Sequence, residues 1–289
     1  MRTKIQVKEE SERGKGKGAY FRRHMLEPVV SLTSLRLDLT RGPVVYFLSD
    51  VHLGFGRPEA DRERERLLLR LLDRMANDAA HLFIVGDLFD YWFDYKTVVP
   101  RRHVRTLAAL HDLRDAGVPM TYLMGNHDFG HYTYFEQELG LGVITGDVDV
   151  QLGEKRFYIS HGDGKAHNDV GYLLLRSVLR NSVAQWIYRV LHPDLGIGLA
   201  SGTSEGSREY TDKKEYGATD GIRDFAAARI AEGYDVVVMG HRHVAAEEQI
   251  GRGLYVNLGH WLGSDPTFAA YTTATSQMDL LKVRTYLGE

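Results

Sequence analysis

HLFIVGDLFDYW, residues 81–92, sets an apolar run of strand length against a glycine and then two acids, and four other stretches repeat that design. They are VVYFLSDVH (44–52), MTYLMGNHD (120–128), RFYISHGD (156–163) and DVVVMGHRH (235–243). Their β-branched and aromatic content predicts buried strands over 44–49, 81–86, 120–125, 156–161 and 235–240. Each run ends in polar or glycine-rich sequence, and each end carries Asp, Asn or His.

Helical patterns lie between some of these runs. Leu67, Leu68, Leu71, Leu72 and Met75 share one face of a helix expected over 63–75. Val104, Leu107 and Leu113 do the same over 101–116, with Gly117 as the stop. Asp220 is positioned to cap a helix running to Glu232, ended by Gly233. Strands alternating with helices predict an α/β fold. Between His161 and Asp220 the rhythm breaks. Residues 171–191 (GYLLLRSVLRNSVAQWIYRVL) read as one long helix with a wide apolar face, ended by Pro193, and a glycine- and serine-rich stretch follows. Residues 165–219 are therefore expected to form an insertion, a helical cap over the site.

At 289 residues the chain can bury one substantial core. Its 43% hydrophobic and 26% charged residues are ordinary for a soluble globular protein, and a net charge of -3 argues against a general nucleic-acid surface. No apolar run is long enough to span a bilayer. The absence of cysteine excludes disulfides, a thiol nucleophile and a thiolate metal site, and fits a cytoplasmic protein. The first 24 residues hold eight lysines and arginines against three glutamates, with no apolar signal core. Residues 1–40 are read as a basic tail and lead-in and 41–289 as the functional domain. The tail is a solvated extension, a start placed upstream of Met25, or a weak attractor of anionic lipid.

The polar strand ends form one set. Asp50 and His52, two apart beyond a strand, point to one side, and so do His241 and His243. Asp87, Asn126 and His161 follow the other three runs. Ligands of open α/β sheets bind beyond the carboxyl ends of strands, where all seven would converge. Oxygen and imidazole ligands without thiolate suit manganese, iron, zinc or magnesium. A metal pair roughly 3.5–4 Å apart clamps both oxygens of an in-line phosphoryl displacement. Such a pair needs a shared carboxylate, and Asp87 is the central one.

The order D-x-H, G-D, G-N-H-D, H-G-D, G-H-x-H over residues 44 to about 262 resembles the calcineurin-like metallophosphoesterase superfamily. The resemblance implies a four-layer αββα sandwich with a dinuclear centre of two divalent ions, manganese being the implied metal. It implies Asp50, His52, Asp87 and His243 around one ion, and Asp87, Asn126, His161 and His241 around the other. His127 takes the position of a catalytic histidine that donates a proton to the leaving group or stabilises the transition state. Asp128 either orients that imidazole or serves the turn. A water activated by the metals is the implied nucleophile.

GDLFDYW (86–92), HGD (161–163) and the spacing to Asp169 and Tyr172 resemble the UDP-2,3-diacylglucosamine diphosphatases of lipid A synthesis. Those enzymes carry a helical insertion in the same interval. This resemblance implies cleavage of a nucleotide-activated glycolipid to UMP and an acylated sugar phosphate, with Asp169 and Tyr172 at substrate-contact positions. It also implies peripheral contact with the cytoplasmic face of the inner membrane, without nucleic acid or an obligate protein partner. The apolar stripe of 171–191 either lines an acyl channel or packs on the main domain. Arg176, Arg180 and Arg189 either meet headgroups or diphosphate, or are solvated. Proteobacterial members carry arginine at the position of His127. Two other readings stand beside this one. One is a different metallophosphoesterase, acting on cyclic nucleotides, phosphoproteins or nucleic acid. The other is a scaffold without activity, which would be free to lose the ligands that are all present here.

Overall fold

The computed structural model describes residues 31–165, 182–193 and 221–289. Its strands are β1 (Leu32–Leu35), β2 (Val44–Leu48), β3 (Ala79–Val85), β4 (Met120–Leu123), β5 (Gly142–Ile144), β6 (Asp147–Leu152), β7 (Lys155–Ser160), β8 (Val236–Met239), β9 (Ala246–Ile250), β10 (Gly253–Asn257), β11 (Thr267–Thr272) and β12 (Gln277–Lys282). The helices are α1 (Pro58–Met75), α2 (Val104–Asp115), α3 (Tyr134–Gln137), α4 (Ser182–Val190), α5 (Gly221–Ala231) and α6 (Val283–Leu287).

Two six-stranded sheets result, in the orders β1-β6-β7-β8-β10-β9 and β12-β11-β2-β3-β4-β5. The runs read as buried strands are β2, β3, β4, β7 and β8, and each lies inside its sheet. β2, β3, β4 and β5 run parallel in one sheet, and β7, β8 and β10 run parallel in the other.

The alternation of side chains makes the layers. Val45, Phe47, Phe83 and Val85 face Val148, Val150, Phe157, Ile159, Val236 and Val238 across the space between the sheets. The intervening Tyr46, Leu48, Leu82 and Ile84 pack outward on the leucines of α1 and α2 and on Val283 of α6. On the far side, Tyr158, Val237 and Tyr255 pack on Ile222, Ala226 and Ile230 of α5. Both faces of the inner strands are covered, so their sequences read as continuous apolar runs. The architecture is the expected αββα sandwich.

Several expectations need correction. α1 starts at Pro58, not 63, because its first turn is charged (Glu59, Asp61) and proline suits the first helical position. Val104 is 63% exposed, and the buried stripe of α2 is Thr106, Leu107, Leu110 and Leu113. β1 lies inside the stretch read as a lead-in and pairs in parallel with β6. Asp220, Asp169, Tyr172, Arg176 and Arg180 lie outside the described residues, as does most of 165–219.

α4 falls within the segment expected to form an insertion. Its Tyr188 ring packs on Phe93, with centroids 4.5 Å apart, and its Arg189 guanidinium lies 4.1 Å over Tyr132. Trp186, Ile187 and Val190 are at least half exposed. Over α4 these apolar residues therefore face away from the sandwich, and Arg189 stacks on rings rather than standing solvated.

Candidate metal centre

All seven predicted residues converge where β2, β3, β4, β7 and β8 end. Asp50, His52, Asp87 and Asn126 come from one sheet, and His161, His241 and His243 from the other. The backbone bends sharply to bring them there. Among described residues, six non-glycine positions have positive φ, and five of them are Asp50, His52, Asp87, His241 and His243 at 50–66°. Left-handed backbone is costly for residues with a Cβ and persists where surrounding structure fixes it. Here it accompanies the gathering of these side chains beyond the strand ends.

Glycines make room for the carboxylates. A Cβ at Gly125 would fall 2.7 Å from Asp87 Cγ and 2.6 Å from Asp87 N. One at Gly240 would meet Asp50 Oδ2 and sit 2.7 Å from Ser49 Oγ.

The donors and acceptors are disposed for cations. His161 donates from Nδ1 to the Val85 carbonyl at 2.9 Å, because a carbonyl can only accept. Its Nε2 is thereby turned toward Asn126 Oδ1 at 2.9 Å and Asp87 Oδ2 at 3.3 Å. His241 Nδ1 meets the same Asn126 oxygen at 2.9 Å. His52 Nε2 and His243 Nε2 approach to 3.1 Å, and His243 Nε2 lies 3.3 Å from Asp50 Oδ1.

Two oxygens, Asp50 Oδ1 and Asp87 Oδ2, are buried and have no hydrogen-bond partner among the described residues. Such groups are expensive to leave unsatisfied in a folded core. Around them stand the triads Asp50–His52–His243 and Asp50–Asp87–His161, whose ligand atoms all lie within 4.8 Å of one another. Two orphaned carboxylate oxygens encircled by imidazole nitrogens fit a pair of divalent cations.

The charges interlock. Burial opposes ionisation of Asp50, but His243 and His161 hold its carboxyl down at about 2. Burial likewise opposes a charge on His161, yet Asp87 and Asp50 raise it to about 10. Burial pushes His241 down to about 4. A cation bound there would take the place of the proton on His161 and supply a stronger positive charge.

Asp128 accepts from Gly125 N–H at 2.9 Å, from Phe89 N–H at 3.5 Å and from the Tyr122 hydroxyl. Burial, with the Asp87 charge adding to it, raises its carboxyl to about 6. These contacts place it in the turn that presents Asn126 and His127. The imidazole of His127 is held differently, its Nδ1 donating to the Asp90 carbonyl at 3.2 Å, with Asp90 Oδ1 at 3.7 Å. The same carboxylate lies 3.6 Å from His52 Nδ1. Asp90 is the second acid of GDLFD, and nothing in the sequence alone distinguishes it from a turn residue.

Arg64 was also missed, since an arginine inside an apolar helical stripe looks like surface. Its guanidinium is buried and bonds the carbonyls of His52 at 3.0 Å and Phe55 at 2.7 Å, and Asp61 at 2.8 Å. It thus ties α1 to the backbone that carries His52.

A model of the calcineurin-like phosphoesterase family matches residues 43–245. A UDP-2,3-diacylglucosamine hydrolase of Porphyromonas gingivalis is 36% identical over 172 residues, covering 59% of this chain and 66% of the relative. Proteins of the same name from Pseudomonas entomophila and Pseudomonas fluorescens are 31% and 30% identical. Those matches cover 69% and 75% of this chain, and 82% and 88% of the relatives.

Proposed function

The chain belongs to the calcineurin-like phosphoesterase family, and from that premise we propose that it hydrolyses the diphosphate of UDP-2,3-diacylglucosamine in lipid A synthesis. Water attacks the phosphorus next to uridine and the bridging P–O bond breaks. The products are UMP and 2,3-diacylglucosamine 1-phosphate. The observation that carries the metal-dependent hydrolysis is the pair of buried, unbonded oxygens on Asp50 and Asp87, ringed by imidazoles. The substrate follows from what the similar proteins are named for.

Asp50, His52, Asp87 and His243 would hold one cation. Asp87, Asn126, His161 and His241 would hold the other, with Asp87 shared. Two divalent cations bound there, manganese by preference, would supply charge neutralisation for the transferring phosphoryl group and lower the pKa of a water for attack near neutral pH.

The chain's own residues do the rest. Val85 fixes the His161 tautomer so that Nε2 faces the site. Asp128 locks the 125–128 turn. His127, oriented by the contact of its Nδ1 with the Asp90 carbonyl, would protonate or hydrogen-bond the departing phosphate oxygen. The Asp90 carboxylate lies 3.7 Å from the same Nδ1.

Among the described residues no helix is long and apolar enough to cross a membrane. The exposed Trp186, Ile187 and Val190 on α4 support acyl-chain or interfacial contact. The enzyme would then work from the cytoplasm, in peripheral contact with the membrane that holds its lipid substrate, with Asp169 and Tyr172 touching that substrate. UMP release from UDP-2,3-diacylglucosamine, with and without manganese, tests this. An inert lipid nucleotide beside efficient hydrolysis of a cyclic nucleotide or phosphopeptide would sink the substrate assignment.

A further inference from the structure

Beside the centre lies a cavity of about 200 Å³, walled by Arg101, Arg102, Tyr91 and Leu53 and reaching Asp90 and His103. It adjoins the centre directly: Leu53 follows His52, and Asp90 stands within 3.7 Å of both the His52 and the His127 rings. Its cationic wall is held in place. Arg102 Nη2 lies 3.4 Å from Asp61, whose carboxylate also takes Arg64 and the Gly54 N–H. The position a Cβ would occupy on Gly54 is 3.5 Å from Arg102 Nη1, so this guanidinium rests on backbone two residues from His52. Its neighbour Arg101 is exposed.

The size of the cavity decides how much substrate it takes. Small-molecule sites typically run to about 300–1,000 Å³, so this one holds a fragment and not a diacylated nucleotide. Its chemistry decides which fragment. Guanidinium groups bind phosphate oxygens and stack on planar bases. Tyr91 and His103 add aromatic rings, and Leu53 adds an apolar side chain.

The acyl half has a different surface available. Tyr91 hydrogen-bonds Tyr188 of α4 at 3.0 Å, so the segment from Tyr91 to Phe93 stands between the cavity and the helix with exposed Trp186, Ile187 and Val190.

We propose that this cavity is the subsite for the nucleoside monophosphate half of the substrate, with Arg101 and Arg102 as specificity-determining residues. The proposal rests on the substrate reading above and adds a direction to it. The nucleotide enters past Leu53 and Arg102, while the acyl chains leave across α4.

The test compares wild type with Arg101→Gln and with the Arg101→Gln, Arg102→Gln double variant. Turnover of UDP-2,3-diacylglucosamine is measured against that of bis(p-nitrophenyl) phosphate, which carries no nucleoside. Inhibition of the small diester by UMP, uridine and inorganic phosphate is measured beside it. The ratio of the two kcat/KM values should fall at least about tenfold in the double variant, as should the affinity for UMP, because charge-assisted bonds are lost. Uridine affinity should fall too.

An unchanged ratio and unchanged UMP inhibition would overturn the proposal. So would an equal loss on both substrates with a lowered melting temperature, provided Arg101→Gln, which leaves the Asp61 network intact, shows no selective loss either. Weakening toward inorganic phosphate alone would overturn the nucleoside assignment. A wild type inert to the lipid nucleotide would instead refute the substrate reading, and UMP inhibition of the small diester would still decide on the cavity.

Discussion

Replacing Gly125 by alanine leaves every proposed ligand in place and yet should disable the centre. The φ of Gly125 is negative, so alanine meets no backbone penalty there. What it meets is Asp87. The new Cβ would lie 2.7 Å from Asp87 Cγ and 2.6 Å from Asp87 N. Ordinary carbon contacts sit at about 3.5–4.0 Å, so the two segments must separate by roughly 1 Å. Rotating the carboxylate does not relieve this, because the backbone nitrogen is as close as the side chain.

Asp87 cannot retreat cheaply. It is buried, holds a positive φ of 54° and accepts from the His127 N–H at 2.9 Å. Overpacking of this kind costs about 1–3 kcal/mol of stability. A 1 Å misplacement near the chemistry costs about 10²-fold in rate. The assay pairs metal content by mass spectrometry with steady-state turnover and a thermal melt. Gly263→Ala is the control, since its Cβ would find nothing nearer than His260 Cε1 at 3.8 Å. A Gly125→Ala protein with full metal content and wild-type kcat would refute the shared role of Asp87 and the close approach invoked for it.

Asp90→Asn keeps the carbonyl that holds His127 but removes the charge beside it. Turnover should fall about 10–100-fold with metal content retained, and an unchanged kcat would deny Asp90 that supporting role. Metal loading should release protons near neutral pH. His161, raised to about 10 in the metal-free site, must give up its proton to become a ligand. Metal affinity should therefore climb with pH up to about 10, and calorimetry in buffers of different ionisation enthalpy would reveal the exchange; heats independent of buffer would contradict it. Acid should weaken the fold through three other histidines. Burial holds His81, His103 and His131 down at about 3, so the unfolded chain binds protons below about 6.5 that the native state refuses. Stability should drop below pH 6.5 by up to about 1.4 kcal/mol per pH unit for each of them. A urea midpoint constant between pH 7 and 5 would contradict that.

Five of the inner strands, β2, β3, β4, β7 and β8, and all seven converging residues are legible in the sequence because both signals are local. An apolar run needs cover on two faces, and a polar residue just beyond it must point out of the sheet end. The other strands carry weaker signals. β9 (AEEQI) sits at a sheet edge with two glutamates, and β6 (DVDVQL) alternates with acids, so neither forms a continuous apolar run. The partners of Asp128 and His127 were not legible, since adjacency in G-N-H-D says nothing about which imidazole nitrogen meets which oxygen. Arg64 was hidden for a related reason: only the fold brings the carbonyls of His52 and Phe55 to its guanidinium. The stripe of α4 leaves two readings open in the sequence, because helical spacing identifies an apolar face without saying what it faces.

The two sheets touch through aliphatic and aromatic side chains, and such contact has no preferred direction. Valines and phenylalanines would tolerate a small slide of one sheet over the other. The ring of carboxylates, amide and imidazoles tolerates far less, because four of its members belong to one sheet and three to the other. Filling the centre would thus act as an alignment pin, fixing the registration of the two halves of the sandwich. Chelation should leave each sheet intact and let the seam between them breathe.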